Sequence, residues 1–311
     1  MSTTRSSDLL LLAVAVVWGS SYLTAKTVVV TGGVLVLLAL RFLISAAAML
    51  PLLAARRSRG FSRRETAVGL LLGATQASIL VLETYGVART SATNAGVLIS
   101  LTILLTPVLE GFANRRWLPP SFFLAAATAT AGVILLVAGP GLRRPSLGDA
   151  LMLAAAVVRA AHVTLSARLT RGRDFDTTTL TTLQTVFGAV VFTAAAAPSL
   201  LPTAAAYRPA QWLAVLYLAL GCSVFAFVVQ LWAIRRTSAS RAGLLLGTEP
   251  VWAVVVGVLI GGEHLTPITV AGIALVLAGT FHGRRVESRA RAATPLPDLA
   301  HVEVPRERSN V

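Results

Sequence analysis

Ionisable residues are scarce inside the long apolar stretches of this sequence, so each one there is a candidate for chemistry. Placing such a group at the middle of a lipid bilayer costs on the order of 2.5–3.5 kcal/mol, and it usually faces a bundle interior or a wet cavity. Arg159 stands at the centre of one apolar run, and His162 and Ser166 follow at helical spacing on the same face. The planar fork of an arginine suits a carboxylate or another anionic group. The competing reading is an arginine locked to a neighbouring carboxylate for packing. His162 reads either as a satisfied polar residue or, beside Arg159, as part of the site with a proton-linked role. Glu249 precedes Pro250. Proline removes a backbone hydrogen bond and frees a carbonyl, which predicts a helix break there. A carboxylate beside such a break suits a cation or proton, with a structural ion pair as the competitor. Pro107 with Glu110 is the cognate feature, and Glu110 reads equally as a flanking residue.

Other candidates are less specific. Trp18, Ser21, Tyr22 and Lys26 form a stripe at helical spacing. Trp18 is too central for an interfacial belt, so it stacks on a substrate or packs in the core. Lys26 lies near a helix end, where it can snorkel. Trp252 follows the Glu249–Pro250 pair and joins the expected cavity lining. Glu83 and Gln230 lie near helix ends, as gate elements or as surface polarity. Gln76 and Gln184 suit interhelical hydrogen bonds, and Arg41 suits a cavity or a pair with Glu83. The candidate substrate-cavity set is Trp18, Ser21, Tyr22, Arg41, Gln76, Glu83, Arg159, His162, Gln184, Gln230, Glu249 and Trp252, with Pro107 and Pro250 as the expected helix breaks. The lone Cys222 lies in an apolar run as a packing residue, so no internal disulfide is available, and no zinc or Cys-x-x-Cys spacing exists. Gly69-x-x-x-Gly73 and Gly257-x-x-x-Gly261 permit close helix contact, within one bundle or in a homodimer.

The elements that must hold these residues are transmembrane helices. Of 311 residues, 55% are hydrophobic and 13% charged, against roughly a quarter charged in soluble domains. The net charge of +14 is distributed in short gaps between apolar runs, with no basic helical face or stacking pattern, which argues against nucleic acid. Spans are expected at 8–29, 33–55, 66–87, 92–113, 121–139, 147–169, 177–197, 210–233, 241–261 and 266–283, each long enough for a hydrocarbon core of about 30 Å. With the N-terminus inside, the inner loops and flanks hold 18 arginines and the outer loops four. The positive-inside rule then predicts both termini in the cytoplasm. The first run is expected to be retained as a helix rather than cleaved as a signal. Residues from about 284 to 311, with Pro295, Pro297 and Pro305, are expected to form a disordered cytoplasmic tail.

Two stretches echo each other, RTSATNAG at 89–96 and RTSASRAG at 236–243, followed by AGVILLVAG at 131–139 and AGIALVLAG at 271–279. The halves are therefore 8–145 and 146–283, five helices each. An odd helix count makes the second half enter from the opposite side. Such inverted repeats place a substrate site near the midplane between them and give alternating access.

The ordered set of motifs resembles the EamA-type transporters of the drug/metabolite transporter superfamily over about residues 8–283. The set comprises WGSSYLTAK at 18–26, Arg41–Phe42, YGVARTSATNAGVL at 85–98, and the Glu-Pro-Val run with its terminal Gly-Glu in 235–266. Departures are Asn114–Arg115–Arg116 where the second half has Gly262–Glu263–His264, Arg159 in place of a frequent aromatic residue, and Glu83 where glutamine is more usual. The resemblance implies an all-α membrane protein of ten helices around a central cavity, whose relatives export amino acids, metabolites or drugs.

The expectation is a multi-pass inner- or plasma-membrane secondary transporter for small amphipathic solutes, its partners being that solute and the lipid bilayer. No cofactor is expected, because no phosphate-binding Gly-x-x-x-x-Gly-Lys-Ser/Thr loop exists. An intramembrane enzyme is a rival without His-Glu-x-x-His, Gly-x-Ser-x-Gly or paired carboxylates at catalytic spacing. A channel or sensor is a second rival. A channel would want rings of like residues around a symmetric pore, which one pair of halves does not supply.

Overall fold

The computed structural model describes residues 2–55, 62–90, 95, 98–137, 146–261 and 266–293; the side chains of residues 2–4, 22, 23, 26, 55, 257, 260 and 261 lie outside that description. Among those residues every regular element is a helix. In chain order they are α1 (Ser2–Ala55), α2 (Arg63–Val87), α3 (Thr102–Asn114), α4 (Pro120–Val137) and α5 (Leu147–Thr170). There follow α6 (Thr177–Ala205), α7 (Pro209–Arg236), α8 (Ala239–Leu246), α9 (Glu249–Gly261) and α10 (Pro267–Ala292).

The first two expected spans are fused in α1. A straight helix of its 54 residues would be about 80 Å long, far beyond a bilayer core. Gly33, at φ 73° and ψ 168°, divides it, in a backbone region that only glycine occupies without strain. Trp18 on one arm and Arg41 on the other donate to the same carbonyl, Cys222 O, so the arms fold back side by side. Thr27–Ala54, α2, α5, α6 and α7 are each long and apolar enough to cross a membrane, whereas α3 and α4 are shorter apolar helices.

Caps set the boundaries. Ser62, Asp176, Ser238 and Thr266 accept from the backbone N–H three residues on, at the starts of α2, α6, α8 and α10. Ser146 and Asp149 form a reciprocal capping box at α5, which satisfies two otherwise unpaired donors.

Three expectations are corrected here. The helix does not break at Pro107: α3 runs through it from Thr102 to Asn114, and the irregular turn lies earlier, at Leu101. The ninth span does break, but at Gly247–Thr248, between α8 and α9. Pro250 then falls in the first turn of α9, where its missing N–H has no helical acceptor to lose. Finally, the polar stretch from 284 is not wholly disordered, because α10 continues to Ala292. Its Glu287 is 1% exposed and pairs with Arg241 and Arg291. Residues 294–311 lie outside the described residues.

Glycines bring the helices together. A Cβ at Gly132 of α4 would lie 2.8 Å from Gly272 O, and one at Gly272 of α10 would lie 2.9 Å from Gly132 O. These glycines occupy the same position in the repeated AGxxLxxAG stretches, so the two repeats meet through equivalent residues. A self-complementary contact of this kind is the mark of a two-fold relation. Gly69 and Gly73 of α2 sit against Leu183, Gln184 and Phe187 of α6, so this small-residue motif packs within the bundle.

Candidate functional site

The centre of the bundle holds a cavity of about 400 Å3. Arg159 of α5 is its charged hub. Its Nη2 donates to both carboxylate oxygens of Glu83 on α2, each at 2.8 Å, and its Nη1 donates to Glu249 Oε2 on α9 at 3.3 Å. Both readings of Arg159 therefore meet in one place: it is locked to carboxylates, and it lines the cavity. The guanidinium also lies over the Trp18 ring, 5.4 Å from its centroid, a distance at which the ring quadrupole attracts the cation.

Each partner is placed by a local feature. Glu249 opens α9 immediately after the break, where the unpaired N–H groups of a helix start favour negative charge. Gly19 makes that approach possible, since a Cβ there would lie 2.6 Å from Glu249 O. The Trp-Gly-Ser run thus sends Trp18 toward Arg159 while Gly19 admits the crossing helix. A π-helical turn at Leu220–Phe225 of α7 supplies the anchor. Ala226 N–H, which in an α-helix would reach Cys222 O, bonds to Gly221 O. Cys222 O instead accepts from Trp18 Nε1 at 3.0 Å and from Arg41 Nη2 at 3.1 Å. Arg41 Nε also donates to Ser223 Oγ at 2.6 Å. Arg41 is held by the π turn, and Glu83 takes Arg159.

His162 contacts Thr75 through Nδ1 at 2.8 Å, and the Thr75 hydroxyl donates to Leu72 O. The imidazole tautomer sets which of the two side chains donates in that contact. Gln76, Gln230 and Ser21 line the same cavity. Gln184 and Trp252 do not. Gln184 is buried against Gly73 at the α2–α6 contact. Trp252 donates to Thr248 Oγ1 at 3.2 Å and packs its Cβ on Gly19. The Tyr22 side chain lies outside the described residues. Thr75, Thr84, Phe227 and the π turn are features that the sequence reading missed. Threonine and phenylalanine carry no insertion penalty to flag them, and the π turn has no residue signature.

The cavity has a direction. Its lining reaches Val29 and Val30 on α1 and Val87, Ala88 and Thr90 at the end of α2. Trp18 to Val30 is twelve residues, about 18 Å along a helix. In the opposite direction Asp8 lies about 15 Å from Trp18 by the same rise, and there a buried ion network ties the chain together. Arg241 of α8 donates to both oxygens of Asp8, at 2.7 Å each, and to Glu287 Oε2 of α10 at 3.0 Å. Arg284 adds a bond to Asp8 at 3.1 Å. One end is thus lined by cavity residues and the other is bolted by charge.

A helical membrane bundle built on two equivalent halves around a polar, ion-paired cavity is the architecture of a transporter. The EamA-like transporter family model matches the chain twice, over residues 5–138 and 146–282, and the chain belongs to that family. It is 30% identical over 285 residues to the uncharacterized transporter YetK of Bacillus subtilis, covering 86% of this chain and 83% of the relative. It is 25% identical over 271 residues to an uncharacterized transporter of Archaeoglobus fulgidus, covering 87% and 83%. A crystal structure of another protein superposes with a TM-score of 0.73 at 20% identity, covering 92% of this chain and 99% of that one. That likeness bears on the fold alone.

Proposed function

We propose that this protein is a secondary transporter that exports small amphipathic solutes across the inner or plasma membrane, by alternating access between two inverted five-helix repeats. The observation that carries the reading is the Glu83–Arg159–Glu249 cluster in a central cavity whose lining runs toward one end only. A structural ion pair needs no cavity beside it, and a cavity without charge would bind apolar matter alone. Arg159 serves an anionic substrate group, Glu83 and Glu249 a cationic one, and Trp18 the apolar body.

The positive-inside bias puts both termini in the cytoplasm. The bolted end, with Asp8, Arg241 and Glu287, then faces the cytoplasm, and the cavity faces outside. Transport, rather than catalysis, is supported by the family and by relatives named as transporters.

The experiment is uptake into inverted membrane vesicles from overexpressing cells, with pooled amino acids and small metabolites, with and without a proton gradient. Saturable accumulation above vesicles lacking the protein is expected. Equal uptake in both vesicle sets for every pool, from correctly folded protein, contradicts the reading.

A further inference from the structure

A second concavity lies at the bolted end, away from the central cavity, and nothing in the transport reading uses it. It spans about 650 Å3 where the α3–α4 corner, the end of α5, the α7–α8 corner and the end of α10 converge. One wall is basic: Arg116, Arg171, Arg236 and Arg291. The other is apolar: Trp117 and Leu118.

The basic wall is built rather than loose. Arg171 and Arg291 both donate through Nη2 to Thr237 O, at a residue whose φ −119° and ψ −126° interrupt the chain between α7 and α8. Arg236 stacks on the Trp232 ring, 4.3 Å from its centroid. Each contact fixes a guanidinium while leaving other N–H donors available, since arginine carries five. Two carboxylates line the groove, and both are engaged within the wall. Glu110 accepts from the Ser240 N–H and hydroxyl, and Glu287 is held by Arg241, Arg291 and Ser238. Among the described residues, no ion pair is formed by Arg116, Arg171 or Arg236. Desolvation, and then the neighbouring Arg291 cation, hold the Arg171 pKa below its ordinary value, with Glu110 and Glu287 acting the other way. With Arg235 added to the lining, five arginines stand against two carboxylates, so the groove carries an excess of positive charge.

The apolar wall points to the membrane. Trp117 is 55% exposed and Phe112 68% exposed, and their rings meet edge to face at 4.9 Å. Exposed aromatic residues beside a cluster of arginines mark the head-group level of a bilayer.

We infer that this groove is a binding site for the phosphate of an anionic phospholipid, with Arg171, Arg236 and Arg291 on the phosphate and Trp117 along the glycerol and upper acyl chain. The groove includes Arg291 and Glu287 of the bolt, so a bound lipid reinforces the closed end. Guanidinium forks are suited to phosphate, and a lipid satisfies both walls where a free phosphate satisfies one.

The test uses the purified full-length protein in neutral detergent micelles and needs no transport substrate. Thermal unfolding is followed on titration with short-chain phosphatidylglycerol, with phosphatidylcholine of equal chain length, and with inorganic phosphate. The expected result is a saturable rise in Tm with phosphatidylglycerol that phosphatidylcholine does not give. In Arg236→Gln, an exposed substitution, the midpoint shifts at least about tenfold to higher lipid, while Arg208→Gln behaves as wild type. An equal response to phosphatidylcholine overturns the site, and so does an unshifted Arg236→Gln titration. A response to inorganic phosphate that matches phosphatidylglycerol overturns the lipid assignment in favour of a free phosphate ligand.

Discussion

Arg159 holds two carboxylates at once, and its removal exposes what it was doing. In Arg159→Ala, Glu83 and Glu249 lose the guanidinium that they share. Breaking a buried pair from one side costs about 3–5 kcal/mol, so this variant is expected to unfold earlier as well as lose flux. The triple variant Glu83→Gln, Arg159→Gln, Glu249→Gln removes the uncompensated charge. It should recover most of the Tm in detergent but none of the transport, which separates a substrate role from a structural one. A triple variant that carries solute at the wild-type rate would remove the cluster from the path. These three residues were legible in the sequence because each is ionisable within an apolar run and must be compensated somewhere. Their pairing was not, since three helices from distant parts of the chain meet only in the fold. Arg41 shows the limit from the other side. It stood out as buried charge, yet its acceptors are a hydroxyl and a carbonyl at a π turn.

At the scale of elements, the repeats meet where α4 crosses α10, with equivalent glycines in contact. Gly132→Ala would put its Cβ 2.6 Å from Val276 N. Overpacking of this kind costs about 1–3 kcal/mol, read as a lower Tm in detergent. Gly33→Ala makes a contrast, since its Cβ would meet nothing within 4 Å. Its penalty is backbone strain alone, about 1–3 kcal/mol, and Gly33→Asn should lose as much, because asparagine tolerates positive φ mainly in the left-handed α region, far from the ψ of 168° here. Equal melting of Gly33→Ala and wild type would count against the kink. Span positions were readable because a bilayer demands long apolar runs of fixed length. The ends were less so. α10 runs past the apolar stretch because Glu287 and Arg291 find partners across the bundle, which no local signal encodes. The irregularity expected at Pro107 sits instead at Leu101, because a membrane helix can accommodate a proline when neighbours satisfy the freed carbonyl.

For the whole molecule, Asp8 ties the first turns of α1 to α8 and α10 of the second repeat, and the proposed alternating access makes it the latch of that end. Asp8 is not among the sequence candidates, and the fold shows it buried between two arginines. Asp8→Asn leaves Arg241 and Arg284 short of a counter-charge, and should shift the population toward a state open at that end. Ser240→Cys, buried in the wall of the second concavity beside the network, is expected to react faster with a thiol reagent in inverted vesicles when combined with Asp8→Asn than alone. An unchanged rate would show that the network is not the latch.

The central claim is that the cavity around Arg159 is the solute path and faces outside in this state. Thr84→Cys in a Cys222→Ala background places one thiol on the cavity wall, to be modified in intact cells by a membrane-impermeant reagent before flux is measured. The account predicts rapid modification from outside, protection by excess solute, and loss of most of the flux once the thiol is blocked. Full transport by the modified protein, or modification only from the cytoplasmic side, would contradict it.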